Sequence, residues 1–134
     1  MTLSEAVPVG TVERLTEHFG ATVTPWLALA HQLVADAARA WGVQLSGFHD
    51  AGWTSVIGVG IDDVGQAVTL KATPDRDRFV RERSALTHWQ GSGVVELLRA
   101  DDEHQVLLLR AVGQVAGGRP RPHVSFPRFP GLHR

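Results

Sequence analysis

The chain has 134 residues, enough for one domain with a modest core, and 13 basic against 14 acidic side chains leave it near neutral. It has no cysteine, which excludes disulfides, a thiolate nucleophile and a cysteine-ligated metal. No stretch is apolar over the length of a membrane span and the N-terminus lacks a secretion signal, so a cytoplasmic protein with no membrane partner is expected.

The charge is unevenly spread. Residues 1–112 carry nine basic and fourteen acidic side chains, whereas residues 113–134 carry four arginines and no acid. Nucleic-acid backbones require a concentrated positive face, and the body of the chain has none, so no nucleic-acid partner is expected.

In chain order, the first forty residues read as a pair of helices. Thr11 is placed to cap a short one with Val12, Leu15 and Phe19 facing inward, ended by Gly20. Thr24 is placed to cap a longer one, with Pro25 in the first turn, where its missing N–H is harmless. Its apolar stripe is read as Trp26, Leu29, Leu33, Ala37 and Trp41, and Gly42 closes it. His31 lies off that stripe and is read as a surface residue rather than a ligand.

From Val43 the period becomes strand-like. Val43–Phe48, Thr54–Ile61 and Gln66–Ala72 read as three strands joined by turn-forming links, which makes neighbours antiparallel. A helix follows Pro74 from Asp75 to Gln90, closed by Gly91, and Val94–Arg99 and His104–Val112 form a last hairpin around Asp101-Asp102-Glu103. The order predicts an α+β fold: a five-stranded antiparallel sheet with one crossing helix between the third and fourth strands, preceded by the helical pair. Four of the seven prolines fall in residues 114–134, which predicts an irregular tail over residues 113–134.

One pair of residues carries the chemistry. At about 100° per residue, Phe79, Glu82, Leu86 and Trp89 share an arc of about 80° on their helix. Glu82 therefore points toward the core, and a buried carboxylate requires a cation. Lys71, at the end of the apolar strand Ala67-Val68-Thr69-Leu70-Lys71-Ala72, is that cation, unless the helix rolls and Glu82 reaches Arg78 or Arg83 instead. Such a pair is what the ATP-holding lobe of a kinase-like phosphotransferase needs.

The turn Asp50-Ala51-Gly52-Trp53-Thr54-Ser55 would then lie over a nucleotide. Gly52 lets the backbone approach an anion, and Thr54 and Ser55 offer hydroxyls. Gly58-Val59-Gly60 lies inside a strand and is no dinucleotide fingerprint, because no helix opens after it. His49-Asp50 and His88 join no nucleophile, second carboxylate or metal-ligand spacing, so no catalytic and no metal residue is assigned. Asp62, Asp63, Asp101, Asp102 and Glu103 read as turn-formers on a solvated surface.

These stretches together resemble the aminoglycoside/hydroxyurea phosphotransferases of the streptomycin 6-kinase type. The matching pieces are Phe19-Gly20 with Trp26-Leu27, Ala40-Trp41-Gly42-Val43, Gly52 with Ser55-Val56, Leu70-Lys71 and Glu82-Arg83-Ser84-Ala85-Leu86. The run from Trp89 through Gly91-Ser92-Gly93 to Leu98, with Leu107-Leu108-Leu109, completes the likeness over residues 9–112.

The resemblance implies a kinase-like N-terminal lobe over residues 1–112. It implies ATP and Mg2+ as the complete family's cofactors, a hydroxyl of an aminoglycoside-like antibiotic as acceptor, Lys71 on the nucleotide phosphates and Glu82 orienting it. Arg110-Ala111-Val112-Gly113 departs from the family's hinge, and no His-Gly-Asp segment or later metal-binding aspartate follows. The second lobe is therefore expected to be absent and the chain inactive alone, with at most weak ATP binding. The alternative expectation is a non-enzymatic nucleotide-binding fragment, or one that pairs with itself through the lobe surface left exposed.

Overall fold

The computed structural model describes residues 3–88 and 95–111. The predicted helix end at Gly91, the strand start at Val94 and the tail 113–134 lie outside the described residues. Within them the chain forms helix α1 (Val9–Phe19), a 3-10 turn (Ala21–Val23), helix α2 (Thr24–Ala40) and strands β1 (Gln44–His49), β2 (Val56–Ile61) and β3 (Ala67–Ala72). Helix α3 (Arg76–His88) and strands β4 (Val95–Asp101) and β5 (Val106–Ala111) follow. The five strands lie in the order β1-β2-β3-β5-β4, every neighbouring pair antiparallel, so the predicted α+β sheet with a crossing helix is the fold.

The helical pair starts differently from the prediction. Helix α1 begins at Val9 behind Pro8, which places Thr11 inside the helix and fully buried instead of at its cap. Helix α2 begins at Thr24 itself, with Val23 in the capping position and no side-chain cap, because the preceding 3-10 turn feeds the helix directly. Gly20 and Gly42 end the two helices with φ of 83° and 70°, as glycine permits.

The apolar stripe of α2 is also rotated from its predicted position. The buried residues are Ala30, Val34, Ala37 and Ala38, while Leu29 is 58% exposed. Small residues win this face because the helix lies close against the sheet: a Cβ on Gly58 of β2 would stand 2.9 Å from Val34 Cγ1. Gly58 of β2 thus serves close helix–sheet packing.

The sheet separates two apolar clusters. On one face Leu15 of α1 and Ala30, Val34, Ala37 and Ala38 of α2 pack with Phe48, Val56, Val68, Leu70, Ala72, Val106 and Leu108. On the other, Phe79 and Leu86 of α3 pack with Val95, Leu107 and Leu109. The alternation of strand side chains sends residues 68, 70 and 72 of β3 to the first cluster and leaves Lys71 on the face of α3. Among the described residues no helix is long and apolar enough to cross a membrane.

Candidate functional site

Lys71 sits one row in from the end of the sheet that carries the β1–β2 turn. The antiparallel register sets it beside Ile57 of β2 and Leu107 of β5, and Ile57 in turn beside His49 of β1. Side chains at directly paired positions share a face, so Lys71, Ile57 and Leu107 look toward the α3 side.

Helix α3 brings the partner. Asp75 caps it by accepting the Asp77 N–H at 3.1 Å, and the Phe79 N–H bonds back to the Asp75 carbonyl at 2.9 Å. From that start, Phe79, Glu82 and Leu86 fall on the buried face. Glu82 is 5% exposed among apolar neighbours, and its Oε2 accepts from Lys71 Nζ at 2.6 Å. Both side chains are largely withdrawn from water, at 14% exposure for the lysine and 7% for the glutamate. The arginines that could have drawn Glu82 outward are placed elsewhere: Arg78 reaches His18 and Asp75, and Arg83 lies 3.2 Å from Asp102.

The turn residues have distinct environments. Thr54 is half-buried, Ser55 is buried, and both precede β2, which starts at Val56 rather than Thr54. Gly52 is buried and sits so close to the Ser55 carbonyl that a Cβ would lie 1.9 Å from its oxygen. Glycine is therefore required there by the turn itself, whatever lies above it.

Asp50 is tied to helix α1. Thr11 donates to its Oδ1 at 3.1 Å and Arg14 pairs with the same oxygen, which holds the carboxyl below its usual range, chiefly through the Arg14 hydrogen bond. This contact between α1 and the turn was missed in the sequence. Its only signal is Gly10, Thr11 and Arg14 within one helical turn and a half, and nothing local says which of fourteen acids they meet. Two of the acids read as turn-formers act as such, Asp62 accepting from the Val64 and Gln66 N–H groups and Asp101 from those of Glu103 and His104, whereas Asp102 pairs with Arg83. His31 is exposed, with its ring 5.2 Å from that of Phe48. Among the described residues no group of three or more His, Asp or Glu is arranged to hold a metal.

With this geometry in place, comparison with known proteins gives a consistent answer. The profile of the aminoglycoside/hydroxyurea antibiotic resistance kinases matches residues 40–118. The chain belongs to this family. It is 28% identical over 142 residues to streptomycin 6-kinase of Streptomyces griseus, an alignment that covers 94% of this chain and 46% of that relative. The chain thus spans about half the length of the curated relative it matches. No solved structure matches.

The kinase-family match runs through the whole sheet, from the last residue of α2 to beyond β5, and so contains Lys71, Glu82 and the β1–β2 turn. Helix α1, with Thr11 and Arg14, lies outside the matched stretch. In this family member the contacts that tie α1 to the turn thus join a segment outside the family profile to one inside it.

Proposed function

We propose that residues 1–112 form the nucleotide-holding lobe of a phosphotransferase, with residues 113–134 outside that lobe. The family's kinase activity implies ATP with Mg2+ as donor, and an antibiotic hydroxyl of the aminoglycoside class is the acceptor on this reading. One observation carries it: the Lys71–Glu82 ion pair, 2.6 Å across, formed between a strand and the helix that crosses it.

The residues fit the phosphate chain of a nucleotide. Glu82 holds the lysine in one orientation with its stem withdrawn from water, so the ammonium presents charge at a fixed place beside the tight β1–β2 turn. Ile57 and Val59, half-buried on the same face as Lys71, offer apolar surface to the remainder of the ligand. When bound, ATP supplies the phosphoryl group. Lys71 neutralises phosphate charge, Glu82 orients Lys71, and Gly52, Thr54 and Ser55 border the phosphates.

The lobe's part on this reading is the nucleotide grip, and none of its residues is assigned to take a proton from an acceptor hydroxyl. On this reading it grips nucleotide without carrying out transfer unaided. Calorimetric titration with a non-hydrolysable ATP analogue tests the proposal. Weak binding that falls about tenfold or more in Lys71→Ala is expected, since charge-assisted contacts to phosphate are lost. Absence of binding heat in the unaltered protein overturns it.

A further inference from the structure

Arg14 of α1 touches the β1–β2 turn at three points. Its Nη2 pairs with Asp50 Oδ1, its Nε donates to the Gly52 carbonyl at 2.9 Å, and its guanidinium carbon stands 5.6 Å from the centroid of the Trp53 ring. Thr11, one helical turn earlier, donates to the same carboxylate oxygen at 3.1 Å. Gly10 makes room for it, because a Cβ there would lie 2.6 Å from Asp50 Oδ2. Successive residues of α1 are thus shaped around one carboxylate and one carbonyl of the turn. The planar guanidinium serves both acceptors and the ring at once, which the point charge of a lysine does not.

This clamp has a consequence for the backbone. The Gly52 carbonyl is held on the Arg14 side, and the chain has no cis peptide among the described residues, so the Trp53 N–H lies on the opposite edge of that peptide. Helix α1 joins, through Leu15, the cluster on the sheet face remote from Lys71. The Trp53 amide is therefore directed away from the Arg14 guanidinium. Among the described residues the amides of Gly52, Trp53, Thr54 and Ser55 donate to no backbone carbonyl.

We propose that Arg14 is a positioning residue for phosphate recognition: by holding Asp50 and the Gly52 carbonyl it presets the turn so that its amide edge faces the anion gripped by Lys71. The inference rests on the nucleotide reading above and deepens it. It predicts dependence on the phosphate chain, not on the nucleoside.

The test is calorimetric titration of the unaltered protein, Arg14→Ala, Arg14→Lys and Asp50→Asn with a non-hydrolysable ATP analogue and, separately, with adenosine. Affinity for the analogue should fall about tenfold in Arg14→Ala and several-fold in Asp50→Asn, with lysine restoring only part of the loss. Adenosine affinity should be the same in all four proteins. Far-UV circular dichroism checks folding, and if Arg14→Ala does not fold, Asp50→Asn carries the test, because it keeps the arginine and the side-chain shape. Unchanged affinity for the analogue, or an equal fall for adenosine, overturns the positioning role while leaving the nucleotide reading intact. Failure of the unaltered protein to bind either ligand overturns both.

Discussion

Lys71→Met leaves the Glu82 carboxylate at 7% exposure between Phe79 and Leu86, on a helix that cannot turn it outward without losing its packing. At 2.6 Å and an effective dielectric of about 20, the pair's gross attraction is about 6 kcal/mol. That nearly cancels a desolvation penalty of several kcal/mol for each ion, so the intact pair contributes little net stability. Removing one partner is a different matter. Lys71→Met should destabilise the protein by about 3–5 kcal/mol, the range for stranding one buried charge. Glu82→Leu should cost less, about 2 kcal/mol, because the longer lysine stem can carry its ammonium toward water. The double variant Lys71→Met/Glu82→Leu should return to within about 1 kcal/mol of the parent, since both charges are gone and the site is apolar. Urea unfolding with linear extrapolation measures all four corners of the cycle. A double variant that loses the sum of the two single effects would refute the argument that the two groups answer each other.

The face of α2 can be tested by contrast: Leu29→Asp should change stability by no more than about 0.5 kcal/mol, whereas Val34→Asp, which buries a charge against β2, should cost about 4 kcal/mol or more, both read by thermal melts. His104 Nδ1 lies 2.9 Å from Asp101 Oδ2, and that hydrogen bond raises the imidazole above its ordinary value. Burial acts to raise Asp101, but the hydrogen bonds from the His104 backbone and ring outweigh it and leave the carboxyl lowered. The stability from the raised imidazole is complete below the ordinary histidine value and is lost as pH rises through the raised one. An NMR titration should place the His104 midpoint above that of an unperturbed histidine, and Asp101→Asn should bring it down; a midpoint unmoved by the substitution would contradict the assignment.

Local pattern alone determined much of this protein. Alternation marked the strands, short polar links made them antiparallel, Pro74 and Asp75 marked the entry to α3, and the phase of Phe79, Glu82 and Leu86 aimed one carboxylate inward. Each of these depends on residues a few positions apart, and a burial rule then named Lys71 as partner from chemistry alone. Tertiary structure decided what local pattern leaves degenerate. The stripe of α2 is broad enough that Leu29 or Ala30 could face inward, and the close approach permitted by Gly58 selects the smaller side chains. Thr11 and Asp50 each suit a cap, and only the docking of α1 beside the β1–β2 turn joins them through Arg14. An ion pair across about forty residues leaves no periodicity behind, because its partners are chosen by the packing of elements whose own formation does not require it.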